Sequence, residues 1–410
     1  MSIYLFATLD TKGVEAAFLR ECLVAAGLDV KLVDVGSLGE PLVPPDVPRE
    51  VVFEAAGHSL AEIVAAGDRG VAVTAAAAGA EQLARRWYSQ GLVSGVLAVG
   101  GSAGTTIGTA AMRALPLGVP KVMVSTLASG QVRHWVQDKD VAMFNSVVDI
   151  SGLNRISRPI LTNAALAMAG MVRGVGALPA AQTSAQTADT SDRPLIAATM
   201  FGVTTPAVEH ARKILEQAGF EVLVFHATGN GGQAMESLID EGLVSGVLDL
   251  TTTELADELV GGILTAGPGR LTAASRRGIP QVVSVGATDM VNFGPRNTVP
   301  PQFADRKFHQ HNASVTLMRT TPQENAQLGR IIAEKVSASS GPVTVVLPLL
   351  GVSAIDRAGQ SFDDPAARAA LFDGIRKHLS GQVKLVELEH HINDEAFAAA
   401  AANELIAMLR

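Results

Sequence analysis

The chain has 410 residues, of which 48% are hydrophobic, and a formal net charge of −8 at pH 7. Its length exceeds what one hydrophobic core usually holds and favours two domains, whereas the negative charge argues against a nucleic-acid partner. The single cysteine, Cys22, excludes an intrachain disulfide framework and a cysteine-based zinc site.

The start of the chain and its most apolar stretch give no membrane signal. MSIYLFATLD leads directly into a strand and lacks the basic region and the cleavage site of a signal peptide. Residues 159–178 include Asn163 and Arg173, and this stretch fits a packed helix better than a membrane span. We therefore expect a cytoplasmic protein with no membrane partner.

The first half opens with the pattern of a β-α-β unit: a strand at 3–8, a helix at 14–26 and a strand at 30–35. Asp10, Thr11 and Lys12 follow the carboxyl end of the first strand, where open α/β sheets bind ligands. Lys12 is a candidate counter-charge for phosphate, and Asp10 is a candidate magnesium ligand, directly or through water. A solvated side chain and a helix cap are the alternative roles.

The segment GLVSGVLAVGGSAGTTIG, residues 91–108, predicts a buried strand, a glycine-rich turn and the start of a helix. Such a turn cradles anions, because glycine lets the backbone approach phosphate closely and the first N–H groups of the helix point at the negative charge. Ser102, Thr105 and Thr106 would add hydroxyl donors. The segment is neither a Walker loop nor a G-x-G-x-x-G motif, so a tight turn without a ligand is the alternative.

The same turn fits the G-x-S-x-G frame of a nucleophile elbow, with Ser102 as the candidate nucleophile. A glycine-rich turn matches this frame easily, and no partner histidine is marked. Two further loops should reach the same sheet edge. One begins at Thr126 after a strand at 121–125, and the other carries Asp149.

Residues 179–194, PAAQTSAQTADTSDRP, have the composition of a linker, which predicts domains at 1–178 and 195–410. GLVSGVL occurs at 91–97 and again, identically, at 242–248. Such a repeat indicates two copies of one unit. The predicted fold class is α/β, with two Rossmann-like three-layer domains related by internal duplication and a cleft between them.

The second half concentrates side chains capable of acid–base chemistry or anion binding at predicted strand ends and in nearby loops. The candidates for a catalytic or substrate-binding role are His226, Glu236, Asp289, His309, His311 and Arg319. His309 and His311 share a face on an extended segment and are a candidate metal pair, although the spacing fixes no third ligand. Ordinary hydrogen-bonded loop histidines and a first-turn helix acid at Glu236 are the alternatives.

Eleven blocks of sequence, in order along nearly the whole chain, form a recognisable set. They are LDTKG, GGSAGT, VPKVMVSTLASGQ, NSVVDISG, TMFGVTTP, FHATGNGG, GVLDLTTTE, SVGATDMVNFGP, RKFHQHN, LMRTTPQEN and HINDEAF. Together they resemble the plant tobamovirus-resistance protein family. That resemblance implies two α/β domains, ATP with Mg²⁺ on the first domain, and a homodimer.

The resemblance and the position of the loops at one sheet edge together give a predicted nucleotide site. Its residues are Asp10, Thr11, Lys12, Gly100, Gly101, Ser102, Gly104, Thr105 and Thr126. Plant relatives inhibit viral replication by binding a viral replication protein, an activity that we do not carry over because partner surfaces need not be shared.

Three functional hypotheses follow. The first is an ATP-dependent transferase or ligase acting on a small anionic metabolite that the second-half residues hold. The second is a nucleotide-binding regulatory module that a partner protein recognises. The third is a hydrolase or lyase that carries a nucleotide, for which Ser102 would be the active residue.

Overall fold

The computed structural model describes residues 1–174 and 193–410. The chain divides into two compact units, Met1–Gln186 and Thr187–Arg410. The predicted linker at 179–194 lies outside the described residues, except for its last two positions.

Parallel strands form the sheet of the first unit: β1 (Ser2–Ala7), β2 (Val30–Asp34), β3 (Val93–Gly100), β4 (Lys121–Ser125) and β5 (Ala142–Asn145). Their spatial order is β2-β1-β3-β4-β5. The helices are α1 (Leu9–Ala25), α2 (Arg49–Ala55), α3 (Leu60–Ala66), α4 (Arg69–Ser89), α5 (Ser102–Arg113), α6 (Arg133–Val136) and α7 (Ser157–Gly174). Because the chain leaves β1 in one direction and returns at β3 on its other side, these two strands flank a topological switch point.

Alternate residues of β1 enter two separate cores, as the period of two in a strand requires. Ile3 and Leu5 pack with α1 and α7, whereas Tyr4 and Phe6 pack with α2, α4 and α5. The sheet is therefore covered on both faces, which confirms the predicted Rossmann-like three-layer architecture. Within 1–174 and 193–410, no helix is both long enough and apolar enough to cross a bilayer.

Helix α1 begins earlier than the sequence predicted, at Leu9 rather than at residue 14. Its first turn is distorted at Lys12, where φ is −123° and ψ is 17°. The Thr8 carbonyl oxygen accepts the N–H groups of both Thr11 (3.0 Å) and Lys12 (2.7 Å), which holds this turn at the sheet edge. The polar Asp10-Thr11-Lys12 segment is thus a tight helical turn rather than an open loop.

The second unit has two sheets. Its strands are β6 (Leu195–Met200), β7 (Glu221–His226), β8 (Gly246–Thr251), β9 (Gln281–Gly286), β10 (Met290–Phe293), β11 (Phe308–Asn312), β12 (Val315–Arg319), β13 (Val343–Pro348) and β14 (Lys384–Leu388). The larger sheet is parallel in the order β14-β13-β9-β8-β6-β7, and the smaller is antiparallel in the order β10-β12-β11.

Helices cover both faces of the larger sheet. They are α8 (Thr205–Gln217), α9 (Asn230–Asp240), α10 (Glu254–Val260), α11 (Ala273–Arg277), α12 (Pro322–Ser337), α13 (Pro365–His378) and α14 (Glu395–Leu409). One core joins the sheet to α10, α12 and α13, and the other joins it to α8 and α14. Strand β11 has a polar sequence without apolar alternation, and antiparallel pairing with β12 organises it.

The order β7-β6-β8-β9 in the second unit repeats the order β2-β1-β3-β4 in the first. GLVSGVL leads into β3 in the first copy and into β8 in the second. The predicted internal duplication is confirmed, and the second copy has its own switch point between β6 and β8.

Candidate functional site

A cavity of about 510 Å³ lies at the switch point of the first unit, beyond the carboxyl ends of its strands. Such a volume is typical of small-molecule sites. The segments that follow β1, β2, β3, β4 and β5 all contribute to its wall, together with the start of α4. Its polar lining is Thr8, Asp10, Thr11, Lys12, Ser37, Arg69, Gly101, Ser102, Gly104, Thr126 and Asp149.

The N-terminus of α5 faces this cavity. The hydrogen-bond ladder of the helix begins with the Thr105 N–H, which donates to the Gly101 carbonyl oxygen at 2.8 Å. The N–H groups of Ser102, Ala103 and Gly104 precede that bond, and an α-helix supplies no acceptor for them. All three residues line the cavity, so their amides form an anion-binding edge.

Two glycines of the turn have different roles. A Cβ at Gly100 would lie 2.8 Å from the Gly104 Cα, so this glycine is required for the tight return of the chain. A Cβ at Gly101 would meet only the Thr126 Oγ1, at an ordinary 3.6 Å. The fold therefore tolerates a side chain at Gly101, and the space it would occupy is the cavity.

Two cations reach the cavity. The Lys12 ammonium donates to the Ile150 carbonyl oxygen, which ties the first turn of α1 to the segment after β5. Arg69, at the start of α4, is exposed and forms no ion pair with any described residue. Its guanidinium is available to a ligand, and a planar fork of donors suits phosphate.

Asp10 lies in the cavity wall, and its carboxylate has protein partners. Its Oδ2 accepts the N–H groups of Leu38 (2.9 Å) and Gly39 (3.4 Å) and lies 3.9 Å from Arg49 Nη1. Arg49 in turn pairs with the buried Asp34 at 2.7 Å. Asp10 therefore holds the segment after β2 against the first turn of α1.

Asp149 is a different kind of carboxylate. It is exposed in the cavity wall, and one of its oxygens accepts only the neighbouring Ile150 N–H at 2.9 Å. Magnesium bound with a nucleotide takes one or two carboxylates together with phosphate oxygens and water. The residues present fit such an ion. Asp149 has a carboxylate oxygen without a protein partner among the described residues, whereas the Asp10 carboxylate already accepts the N–H groups of Leu38 and Gly39.

The structure thus brings together most of the predicted nucleotide-binding residues of the first unit. Asp10, Thr11, Lys12, Gly101, Ser102, Gly104 and Thr126 line the one cavity. Gly100 does not line the cavity, but the tight turn requires a residue without a side chain at this position. The Thr105 hydroxyl is buried and bonds to Ser125 Oγ (2.7 Å) and to the Gly101 carbonyl oxygen (2.7 Å), so it braces the turn.

The second switch point is filled by a buried ion network. Arg270 donates to both oxygens of Asp249, at 2.5 Å and 2.7 Å, and to Glu254 at 2.6 Å. Burial lowers the pKa of Arg270, but the charges of its carboxylate partners outweigh this effect and raise it well above its ordinary value. Thr199 near the end of β6 donates to Asp249 of β8 at 2.7 Å, which ties the two paired strands together at this network.

The Glu254 carboxylate also binds the glycine-rich turn that leads into α9. Its Oε1 accepts the N–H groups of Gly229 (2.6 Å) and Gly232 (3.1 Å). Burial raises the pKa of Glu254, and Arg270 opposes that shift. An internal carboxylate therefore takes the amides that this loop would otherwise offer to an anion.

Three second-half candidates are held inside the protein. Glu236 accepts the N–H groups of 271, 272 and 273, at 2.6, 3.2 and 2.7 Å, and so caps α11. Arg319 is buried and bonds to Asp356 at 3.2 Å and to backbone carbonyls, including that of Phe362 at 2.9 Å. Asp289 is fully buried, and its Oδ2 accepts the Ser353 hydroxyl at 2.8 Å.

The Asp289 Oδ1 is a buried oxygen that has no hydrogen-bond partner among the described residues. Burial, reinforced by the charge of Asp356 and opposed by Arg319, raises the pKa of Asp289 to about 7. A carboxyl in this state holds its proton to a higher pH than usual.

The three candidate histidines of the second unit are more accessible than Asp289 and Arg319. His226 is exposed at the end of β7, with its ring 5.5 Å from that of Phe201. His309 Nδ1 lies 3.2 Å from Ser361 Oγ, and His311 is exposed two residues further along β11. Among the residues that the structure describes, no group of three or more His, Cys, Asp or Glu side chains is arranged to hold a metal ion.

Sequence reasoning missed Arg69, Ser37 and Leu38 as lining residues. Arg69 opens a helix beside the switch point. Ser37 and Leu38 precede the proline-rich stretch PLVPPDVP. Their position just after β2, at the carboxyl end of a strand, was the available signal.

Two family profiles match the chain. The Uncharacterised protein family (UPF0261) N-terminal domain matches residues 1–177, and the Uncharacterised protein family (UPF0261) C-terminal domain matches residues 193–409. A UPF0261 protein of Clostridium tetani is 48% identical over 408 residues, which cover 99% of this chain and 98% of that protein.

The resemblance to plant resistance proteins is confirmed by the ToMV resistance protein Tm-1 of Solanum lycopersicum. It is 46% identical over 318 residues, which cover 77% of this chain and 41% of that protein. A solved UDP-N-acetylglucosamine 2-epimerase from Rickettsia bellii is only distantly similar, at 10% identity and a TM-score of 0.23 over 69% of this chain and 78% of that chain. The two profile matches and the similarity to the Clostridium tetani and tomato proteins show that the chain belongs to the UPF0261 family.

Proposed function

We propose that the first domain binds ATP together with Mg²⁺. The observation that carries this proposal is the cavity of about 510 Å³ at the β1–β3 switch point, where the α5 N-terminus, Lys12 and Arg69 face one space. Amides and cations that surround one space suit a polyphosphate. The resemblance to the plant family independently implies ATP.

In this proposal the phosphates lie against α5, with Ser102, Thr11 and Thr126 as hydroxyl donors. Asp149 would hold Mg²⁺ together with phosphate oxygens, and the ion would neutralise part of the phosphate charge. Asp10 contributes indirectly, because its carboxylate fixes the wall at Leu38 and Gly39.

We further propose that the protein is an enzyme that uses ATP on a small anionic metabolite, by phosphoryl transfer or ligation. The accessible histidines 226, 309 and 311 of the second unit are the candidate acid–base groups for this reaction. The alternative is a regulatory module without catalysis, which is supported by the internal engagement of Glu236 and Arg319. Among the described residues no histidine lines the cavity beside Ser102, so a Ser–His hydrolase has the least support.

Substitution of Gly101 tests the nucleotide site directly. In Gly101→Val the side chain enters the cavity, and we expect ATP affinity measured by calorimetry to fall at least about tenfold. Gly130→Val is the matched control, because its Cβ would also meet its nearest atom, the Leu127 carbonyl oxygen, at 3.6 Å, and Gly130 does not line the cavity. Equal ATP affinity in the two variants would refute the site.

Asp149→Asn tests the magnesium assignment. We expect the tightening of ATP binding by Mg²⁺, measured with and without EDTA, to shrink by about tenfold, because a neutral amide is a poor ligand for a hard cation. Binding without the metal should change little. An unchanged magnesium effect would exclude Asp149.

Product analysis separates the enzyme from the module. The protein is incubated with ATP and a pool of small anionic metabolites, and His226→Ala and His309→Ala are compared with the parent chain. Catalysis at these residues predicts product from the parent and at least about a hundredfold less from a variant. ATP binding without turnover in every sample supports the module.

We also propose that the protein is a cytoplasmic homodimer. Sedimentation equilibrium at micromolar concentration should then give twice the chain mass of 42.5 kDa. A mass of one chain under these conditions contradicts the dimer.

A further inference from the structure

A cluster of buried charges lies beyond the carboxyl end of β13, where residues 349–364 form the β13–α13 connection. Asp356 of this connection is fully buried. Its Oδ1 accepts hydrogen bonds from Arg319 Nη2 at 3.2 Å and from Arg368 Nη1 at 2.9 Å, and its Oδ2 accepts the Val352 N–H at 3.1 Å. Two guanidinium groups thus meet at one carboxylate.

Asp289 adds a further carboxyl group to this cluster, and no cation balances it. Arg368 also bonds to Asp363 at 3.0 Å, so the two guanidinium groups balance the two carboxylates of Asp356 and Asp363. Arg319 bonds to Asp289 at the backbone carbonyl oxygen (3.3 Å) and, among the described residues, no cation forms an ion pair with the Asp289 carboxyl group. A proton on Asp289 keeps the cluster neutral, whereas its loss leaves one uncompensated negative charge in the interior.

Ser353 links Asp289 to the connection. The Ser353 hydroxyl donates to Asp289 Oδ2 at 2.8 Å, and the same oxygen accepts the N–H groups of Ile355 and Asp356, each at 3.2 Å. The other carboxyl oxygen of Asp289 is buried and has no partner among the described residues. Burial of a charge without such partners is costly, so this position suits the neutral acid.

His391 is the other titratable group that packs against the connection. Its Nε2 lies 2.8 Å from the Ser353 carbonyl oxygen, and its Nδ1 accepts the Asn393 N–H at 3.1 Å, so Nε2 carries the proton of a neutral ring. Burial lowers the pKa of His391. The ring is therefore uncharged at neutral pH and supplies no counter-charge to Asp289.

The connection also reaches a histidine of β11. Arg319 Nε donates to the Phe362 carbonyl oxygen at 2.9 Å, and Ser361 Oγ, one residue earlier, lies 3.2 Å from His309 Nδ1. Arg319 thus holds the connection at two points, Asp356 and Phe362. A displacement of Arg319 would reach the His309 side chain through Ser361.

We propose that Asp289 acts as a pH-sensitive switch for the β13–α13 connection. While its carboxyl group is neutral, Ser353 and Arg319 keep the connection closed against β12 and the β9–β10 turn. An ionised Asp289 repels the Asp356 carboxylate and attracts Arg319, so the connection opens to water more often. The switch does not depend on nucleotide binding, and its bearing on the proposed function is that it controls the position of His309.

Linkage gives the pH range of this switch. Burial raises the pKa of Asp289 from 3.8 to about 7 in the closed connection, whereas an aspartate exposed to water has its ordinary value. The closed form therefore holds a proton that the open form releases. The opening equilibrium constant should rise by up to about tenfold per pH unit from about pH 4 to pH 7 and level off above about pH 8, where both forms are ionised.

The test is hydrogen exchange of the full chain without ATP from pH 5 to pH 8, with each rate divided by the intrinsic rate at that pH. The reporters are the amides of Val352, Asp356 and Phe362, which donate to protein acceptors within the connection. In the parent chain we expect their protection to fall by up to about tenfold per pH unit up to pH 7. In Asp289→Asn the side chain is neutral throughout, and the protection should be the same at every pH.

Asp257→Asn is the matched control. Asp257 is a buried acid of the same domain whose pKa burial also raises to about 7, and it bonds to Asn292 and Leu264 rather than to the connection. This variant should keep the pH dependence of the parent at the reporter amides. Retention of that dependence in Asp289→Asn, or its loss in Asp257→Asn, would overturn the switch.

The parent chain alone also decides the proposal, should Asp289→Asn fail to fold. The Val345 amide in the core strand β13 reports unfolding of the whole sheet. Protection at the reporter amides that does not change with pH, or an equal change at Val345, would refute local opening. Neither result bears on ATP binding in the first domain.

Discussion

At the scale of single residues, the buried carboxylates of the second domain differ in how their charge is balanced. Asp249 and Glu254 share Arg270, whereas amide groups hold Asp257. Its carboxylate accepts hydrogen bonds from Asn292 Nδ2 at 2.7 Å and from the backbone N–H groups of Leu264 and Asn292, each at 3.1 Å. Since no cation among the described residues pairs with Asp257, burial dominates and raises its pKa from 3.8 to about 7.

This shift makes stability depend on pH in a definite direction. The folded chain holds a proton on Asp257 that the unfolded chain releases from about pH 4 upward, so the free energy of unfolding falls between about pH 4 and pH 7. In Asp257→Asn this contribution disappears. Urea unfolding of both chains from pH 5 to pH 8 should show the parent losing stability relative to the variant, by at most about 1.4 kcal/mol per pH unit.

The difference between the two chains should level off above about pH 8, where Asp257 is ionised in both states. The Asn292 Oδ1 is buried without a partner among the described residues, so an amide at 257 has an acceptor available if Asn292 turns over. A pH-independent difference between the chains would show that Asp257 is already ionised at pH 5.

Arg270 gives the largest expected stability effect. In Arg270→Met the carboxylates of Asp249 and Glu254 stay buried without their counter-charge, which costs about 3–5 kcal/mol. Arg276→Met is the matched control, because its bridge to Asp240 is about half exposed, at 55% and 46%, and is worth about 1 kcal/mol or less. Urea unfolding at pH 7 measures both, and equal losses would contradict a buried network.

At the scale of elements, the first turn of α1 and the segment after β2 behave as one unit. Asp10 joins them through the N–H groups of Leu38 and Gly39. The turn that carries the predicted phosphate-binding residues is therefore coupled to the segment after β2 that lines the same cavity.

Hydrogen exchange tests this coupling. In Asp10→Ala the amides of Leu38 and Gly39 lose a charged acceptor, and we expect them to exchange at least about tenfold faster. Asp149→Ala is the control, because that carboxylate also lines the cavity and does not contact the segment. Unchanged exchange in Asp10→Ala would mean that other contacts hold the wall.

The two copies of GLVSGVL show how one element diverged. In the first copy Ala98 and Ala103 follow at the positions where the second copy has Asp249 and Glu254. Alanine leaves space and free amides at α5. The two acids recruit Arg270 and close the corresponding region of the second domain.

At the scale of the whole molecule, this divergence predicts the binding stoichiometry. A duplicated fold suggests two nucleotide sites per chain, but the second switch point is occupied by the protein's own carboxylates and guanidinium. We expect calorimetry with ATP to give one site per chain. Two equivalent sites would contradict the assignment of Glu254 as an internal occupant of the loop before α9.

Several features of this protein follow from its sequence alone. The β-α-β rhythm, the repeated GLVSGVL and the motif set determine the fold class, the duplication and the family, because each depends on local periodicity or on residue identity. The glycine turn at 100–104 was identifiable for the same reason, since strand, turn and helix are adjacent along the chain.

Tertiary structure decided which polar residues face a ligand-sized space. Sequence alone does not distinguish Asp10 from Asp149, or Arg319 from Arg69. Packing shows that Asp10 and Arg319 bond to groups distant along the chain, whereas the Asp149 carboxylate bonds only to its neighbour Ile150 and Arg69 has no ion pair among the described residues. The partners that distinguish them are distant along the chain, as are Asp10 and Leu38 or Arg270 and Asp249. Hydrogen-bond satisfaction at such separations depends on how strands and helices come together, which no local pattern records.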